Sequence, residues 1–222
     1  MLEPQIGILA GLQPGAAHID LTTNAPKTVA RIAETCRSYG VELIDAPVSG
    51  RPPTMTVMIG ATNVAFAKYR PLFEVIAANV FHVGPSGAGA TAKLVTQYLG
   101  YTNFIASIEG MLIAAKAEID LDILAKIVPV TAGQSRTFDN ITRGVFPRTS
   151  VAGDTLDIVA KDVDLACQLA RDVCAPAALG ALASDIYKRA QAQGWGQEGF
   201  PVVTRILEAM AGIELRTQGG QQ

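Results

Sequence analysis

The stretch Gly87-Ala88-Gly89-Ala90-Thr91-Ala92-Lys93-Leu94-Val95-Thr96-Gln97-Tyr98-Leu99-Gly100 opens a pattern that decides the fold. Its helical spacing continues to Glu118, with apolar side chains at Leu94, Tyr98, Tyr101, Ile105, Ile108, Leu112 and Ala115. Three-and-four spacing of this kind is the buried stripe of a helix. At 1.5 Å per residue the helix would be roughly 45–50 Å long, beyond ordinary globular length, and so long a helix joins two domains. Lys93 and Gln97 stand one turn apart beside the stripe, and Gly100 leaves space on the turn after them. From spacing alone, the amine reads as a surface lysine laying its stem along an apolar seam.

Before this helix the signals alternate. Residues 6–12 with Gln13-Pro14-Gly15 read as the tail of a short helix closed by a turn. Residues 16–21 are a short apolar strand, Thr22, Thr23 and Asn24 are helix-cap candidates, and Pro26 suits the first turn of a helix over 27–38. Residues 41–46 form the next strand, so 16–46 spells one strand-helix-strand unit of a parallel sheet. Ligands of such sheets bind beyond the carboxyl ends of the strands, here Thr22-Thr23 and Pro47-Val48-Ser49-Gly50. A strand over 54–59, a helix over 64–78 with Pro71 placed to kink it, and a strand over 79–83 follow. His18 and His82 both fall in strand-like runs, where a half-buried, hydrogen-bonded ring is expected. The glycine cluster Gly84, Gly87 and Gly89 lies between strand and helix but lacks the G-x-G-x-x-G order of a phosphate cradle, and reads as a hinge.

After Glu118 the strand signals stop. Helices are predicted over 121–129 with Asp120 as N-cap, over 135–143, 154–173, 177–193 and 200–212, with a frayed tail at 218–222. The chain therefore divides into an α/β part, 1–86, and an all-helical part, 87–222, that begins with the long helix.

The 222 residues are 49% hydrophobic and 17% charged, with a net charge of −2 and a pI of about 5.7. No lysine-arginine run offers a footprint for nucleic acid or anionic lipid, so a small-molecule substrate is the expectation. The start, Met1-Leu2-Glu3-Pro4-Gln5, carries no signal-peptide pattern, and the longest apolar run is broken by Glu109 and Lys116, so no membrane span is expected. Cys36, Cys167 and Cys174 have neither CxxC spacing nor a histidine cluster, which predicts no metal site, no disulfide and a reducing cytoplasm.

Three segments in this order carry a resemblance: Asp45-Ala46-Pro47-Val48-Ser49-Gly50, the run from Gly87 to Lys93, and Lys161-Asp162-Val163-Asp164-Leu165-Ala166. Together they resemble the β-hydroxyacid dehydrogenase family, which includes 3-hydroxyisobutyrate dehydrogenases and tartronate semialdehyde reductases. The likeness covers nearly the whole chain and weakens over 133–151 and at the end. It implies a partial Rossmann-type sheet joined by a long inter-domain helix to a helical C-terminal domain, and hydride transfer between NAD or NADP and a small hydroxy acid or its semialdehyde. At the matching positions Lys93 would be the catalytic lysine, exchanging a proton with the substrate oxygen. Ser49 and Gly50 would hold the substrate carboxylate through a hydroxyl and backbone N–H groups, Gln97 would contact substrate, and Thr23 and Lys161 would contact the cofactor. Each has a plainer rival: Thr23 as a helix cap, Ser49 as a turn residue, Lys161 as an i,i+4 partner of Asp157.

The departures are as specific. The family has asparagine where Gln97 stands, a second glycine where Arg51 stands before Pro52-Pro53, and an aromatic where Asp154 stands; Arg51 reads as pointing to solvent. The segment from Gly196 to Pro201 lacks the family's acidic-then-serine pattern. The 222 residues also hold no phosphate-binding G-x-G-x-x-G, and the sequence reads as a family member shortened by the first half of its cofactor domain, with little affinity for NAD(P). A non-catalytic remnant acting as an oligomerisation or binding module is the alternative. Imine reduction on the same architecture is disfavoured by Lys93. The apolar helical part is expected to pair as a homodimer or larger.

Overall fold

The computed structural model describes residues 7–148 and 153–216, and the chain divides into two compact units, residues 1–96 and 97–222. Met1 to Ile6, the end of the weakly matching 133–151 segment and the tail at 218–222 lie outside the described residues.

In the first unit the strand-helix-strand reading holds. β1 (Ala17–Asp20) and β2 (Glu42–Asp45) pair in parallel and are joined by α1 (Pro26–Ser38). Pro26 sits in the first helical turn, where its missing N–H costs nothing. The cap differs from expectation. The N-cap is Ala25, without a side-chain hydrogen bond, because Thr22 and Asn24 turn back to Asp20. The Thr22 N–H and hydroxyl donate to Asp20 Oδ1 at 2.9 and 2.6 Å, and Asn24 Nδ2 to Oδ2 at 3.3 Å.

β3 (Val48–Ser49), β4 (Thr56–Gly60), α2 (Asn63–Ile76) and β5 (Asn79–Gly84) complete this unit. The sheet is mixed: β4 runs antiparallel to β2 and β3 and parallel to β5. β2 and β3 act as one strand bent at Ala46-Pro47 and folded back on β4. α2 is capped by Thr62, whose Oγ1 accepts from the Ala65 N–H at 3.1 Å. It runs unbroken through Pro71; the carbonyl left without a donor belongs to exposed Ala67, within reach of water. His82 behaves as expected, with Nε2 2.8 Å from the Ala61 carbonyl oxygen and its ring stacked on Phe66. One face of the sheet buries Ile44, Val57, Ile59 and Phe73; Val29, Cys36, Val41 and Leu43 form a second cluster under α1.

α3 (Ala88–Lys116) is one helix of 29 residues, about 43 Å at 1.5 Å per residue. Its first turns belong to the first unit and the rest to the second. The second unit adds α4 (Leu121–Ile127), α5 (Leu156–Asp172), α6 (Ala178–Ala192) and α7 (Thr204–Ala211). Asp120 caps α4 as expected, accepting from the Asp122 and Ile123 N–H groups at 2.8 and 3.2 Å. The cap of α5 is Thr155. The helix expected over 135–143 is present only from 139, where it widens into a short π-helix, Ile141–Val145, after a series of turns. Phe104, Ile108, Met111, Leu156, Val159, Tyr187 and Val203 form the core, each such apolar side chain contributing about 1.5–3 kcal/mol when fully buried. The three cysteines are free. Among the described residues no helix is long and apolar enough to cross a membrane, and no side-chain cluster could hold a metal ion.

Candidate active site

The pairing registers bring four strand ends into line. Asp20 lies opposite Asp45, Asp45 opposite Gly60, and Gly60 opposite Gly84. The carboxyl ends of the parallel pair β1 and β2, beyond which α/β folds hold their ligands, thus meet those of β4 and β5, which run the opposite way, along one line across the sheet. The chain turns from the end of β5 into α3, and Asp45 fastens the turn. Its Oδ2 accepts from the Gly87 and Ala90 N–H groups, both at 3.0 Å, taking two donors that an α-helix leaves open at its start. Burial raises the Asp45 carboxyl above its ordinary value, the N–H groups of Ala90, Gly87 and Gly89 oppose the rise, and the nearby Asp20 adds to it.

Lys93 follows one turn later and is only 6% exposed. That removes the rival reading of a lysine snorkelling to the surface, since a solvated ammonium keeps its tip in water. Its neighbours Ala90 and Leu94 are fully buried. Ser49 lies on β3, paired with Thr56, so it is a strand residue and not merely a turn residue. Gly50 follows with φ +77°, a left-handed conformation that a side chain would strain. Arg51 is exposed, as expected. Thr23 lies in the loop beyond β1 and is partly buried; it is not the α1 cap.

In the second unit a chain of polar contacts ties five residues together, buried at Gln97, Tyr101 and Asp162 and exposed at Asp154 and Lys161. Gln97, 9% exposed, donates through Nε2 to Asp162 Oδ2 at 2.7 Å and to the Tyr101 hydroxyl at 3.4 Å. The Tyr101 hydroxyl donates to Asp154 Oδ2 at 2.7 Å, and Lys161 Nζ lies 2.9 Å from Asp162 Oδ1. Asp162 therefore links two of the expected residues, Gln97 and Lys161. Burial, then the charge and hydrogen bond of Asp154, push the Tyr101 phenol far above its ordinary value, so it remains a donor. Asp157, the rival partner of Lys161, accepts from Gln191 and Gln197 at 2.6 and 2.8 Å. Asp162, Tyr101 and Asp154 were missed as a group in the sequence. The Lys161-Asp162 pair was visible there, but only folding puts Asp162 beside Gln97. A separate cavity of about 350 Å³, lined by Arg148, Glu198, Thr204 and Arg205, contains none of these residues.

The loop after β1 holds Thr22, whose hydroxyl is engaged with Asp20 and Asn24, and Thr23, and α1 starts beyond it without a side-chain cap. A helix N-terminus at this place fits a negatively charged group of a dinucleotide cofactor.

Comparison with known proteins shows the family. A family model described as the NAD-binding domain of NADP-dependent 3-hydroxyisobutyrate dehydrogenase matches residues 87–207, and one described as the NAD-binding domain of 6-phosphogluconate dehydrogenase matches 1–84. The chain is 31% identical over 210 residues to an L-threonate dehydrogenase of Escherichia coli, covering 92% of this chain and 70% of that one. It is 27% identical over 221 residues to a 2-(hydroxymethyl)glutarate dehydrogenase of Eubacterium barkeri, covering 97% and 73%. A crystal structure of a 3-hydroxyisobutyrate dehydrogenase from Salmonella typhimurium superposes with a TM-score of 0.82 at 30% identity, covering 90% of this chain and 72% of that one.

Proposed function

The chain belongs to the β-hydroxyacid dehydrogenase family, and from that premise we propose that Lys93 is the residue that moves the proton in its reaction. The protein is an NAD(P)-dependent oxidoreductase of the 3-hydroxyisobutyrate dehydrogenase type, acting on a small acid that carries a hydroxyl. The observation that carries the assignment of Lys93 is its burial on the first turns of α3, just past the carboxyl ends of the strands. An amine kept from water there is suited to take the hydroxyl proton as a carbonyl forms, and to return it in the reverse direction.

The bound nicotinamide supplies the hydride acceptor or donor. The remaining roles belong to this chain. Ser49 offers a hydroxyl, and Gly50 a backbone N–H at a point of close approach, to the substrate carboxylate. Gln97 has its amide N–H group committed to Asp162, which leaves its carbonyl oxygen to accept from a substrate hydroxyl. Thr23 and Lys161 hold the cofactor. The division at residue 86 into a cofactor-side part and a helical part, a homodimer or larger assembly, and a cytoplasmic location complete this reading; the three free thiols support the last.

The test is turnover of 3-hydroxyisobutyrate, L-threonate and 2-(hydroxymethyl)glutarate with NAD and with NADP, in a version that also carries the G-x-G-x-x-G turn these 222 residues do not hold. The expected result is nicotinamide reduction with at least one of these acids, abolished by Lys93→Ala without weaker cofactor binding. Turnover that survives the substitution removes Lys93 from its role. The reading of a non-catalytic remnant is disfavoured by the burial of Lys93, which a binding module would have no need to keep from water.

A further inference from the structure

The Asp45-Ala46-Pro47-Val48-Ser49-Gly50 segment and the run from Gly87 to Lys93 look independent in the sequence, separated by more than thirty residues. In the fold they are one device. Asp45 ends β2, and its Oδ2 reaches 42 and 45 positions along the chain to take the Gly87 and Ala90 N–H groups, each at 3.0 Å. The two glycines around it are there because nothing larger fits. A Cβ on Gly89 would stand 2.5 Å from the Met58 carbonyl oxygen and 2.7 Å from that of Asp45. A Cβ on Gly60 would stand 2.7 Å from Asp45 Oδ2, 2.8 Å from the Gly89 nitrogen and 2.9 Å from the Pro85 oxygen. These obstacles are mostly backbone, which cannot swing aside. The helix start is thus pressed against the ends of β2 and β4 and held by a carboxylate that is 2% exposed.

Holding a carboxylate away from water is costly, and a helix start on an exposed surface could be capped by a serine or by water. The expense is understandable if the position of the helix matters more than its stability. Lys93 lies one turn past Ala90 on a continuous helix, so a shift or loosening of the first turn moves its amine directly.

We propose that Asp45 is a positioning residue for Lys93: by seating the first turn of α3 against the strand ends, it fixes where the lysine amine meets the substrate oxygen. This rests on the reading of Lys93 as the proton-transferring residue. Misplacement of a reacting group by about 1 Å lowers a rate by roughly a hundredfold, which sets the scale of the expected effects.

The experiment compares the enzyme with its Asp45→Ala, Asp45→Asn and Lys93→Ala variants. Steady-state kinetics use 3-hydroxyisobutyrate, protiated and deuterated at its hydroxyl-bearing carbon, and hydrogen exchange is followed by mass spectrometry on the free protein. Asp45→Ala is expected to lower kcat roughly a hundredfold and Asp45→Asn, which keeps the shape and one acceptor oxygen, roughly tenfold. The deuterium isotope effect on kcat should rise in both, with the KM for cofactor within about twofold of its original value. Amides of residues 87–91 should exchange at least tenfold faster in Asp45→Ala. A purely structural residue would reduce the amount of folded enzyme but leave the isotope effect of the folded molecules unchanged. If Asp45→Ala does not fold, Asp45→Asn decides. A folded variant with kcat within twofold and an unaltered isotope effect overturns the proposal. Undiminished turnover in Lys93→Ala overturns the role of Lys93 instead, while the exchange measurement still reports whether Asp45 holds the helix.

Discussion

At the scale of single residues, Lys93 has given up the hydration that a surface lysine keeps, and its function should show in what its removal costs. Loss of a general acid-base group slows a reaction by roughly 10²- to 10⁴-fold. Lys93→Ala should therefore lower kcat by at least a hundredfold with the NAD(P) dissociation constant unchanged by fluorescence titration. Asp45 makes a second prediction, on stability. Burial raises its carboxyl above the ordinary 3.8, with the charge of Asp20 adding to the rise. The folded chain therefore binds this proton more tightly than the unfolded one, and stability falls as pH rises from about the ordinary value through the raised one, then levels off. Asp45→Asn abolishes this term. The difference in urea midpoint between the parent and Asp45→Asn should shift in favour of the variant as pH rises through that window, and a difference independent of pH would contradict the burial account. Gln97 supplies a third. Its amide reaches Asp162 at 2.7 Å, and Gln97→Asn shortens that reach by one methylene. The buried Asp162 oxygen then loses its donor, at about 1–3 kcal/mol for an unsatisfied buried group, and KM for the acid should rise while the cofactor constant holds.

At the scale of elements, what was legible was whatever repeats locally. The stripe from Leu94 to Ala115 gave α3 to within two residues at its C-terminal end, and the apolar runs with Pro26 gave the β1-α1-β2 unit. What was hidden depends on contacts distant in sequence. Two-residue β3 is too short to have a period, and the antiparallel turn of β4 against it follows from a bend at Ala46-Pro47 that no pattern announces. The side chain of Asp45 was read as part of a motif without its purpose, because its partners are 42 and 45 positions away. Gly87 and Gly89 were read as a hinge. Gly89 is a close-packing residue instead, since a Cβ there would collide with the Met58 and Asp45 carbonyls, whereas Gly87 takes a φ of +92° and supplies an N–H to Asp45. Overpacking of this sort costs about 1–3 kcal/mol. Gly89→Ala is expected to lower the denaturation midpoint accordingly and to slow turnover, whereas Gly110→Ala, with open space around it on the same helix, should leave both unaffected.

At the scale of the whole molecule, apolar surface remains that burial within one chain does not account for. In the second unit, Leu99 and Ile113 on α3 are 54% and 70% exposed, and Leu179 and Leu182 on α6 are 67% and 65% exposed. Single exposed leucines are ordinary, but Leu179 and Leu182 stand three residues apart on one face of α6, and an exposed apolar face of this kind marks an interface. α6 is also drawn close to α3: Gly180 packs against the Tyr98 ring, and its N–H donates to the Tyr98 hydroxyl at 3.2 Å. With no side chain at Gly180 and large ones at Leu179 and Leu182, α6 turns its small face to its own chain and its apolar leucines outward. A second copy offering the same leucines would bury both sets in a two-fold contact, the commonest arrangement of soluble oligomers. Light scattering coupled to size exclusion should therefore give at least twice the 23.3 kDa chain mass at micromolar concentration. Leu179→Lys with Leu182→Lys should return the particle to monomer mass while circular dichroism stays unchanged. A parent protein that elutes as a monomer would reject this assembly without touching the assignment of Lys93, whose burial is measured within one chain.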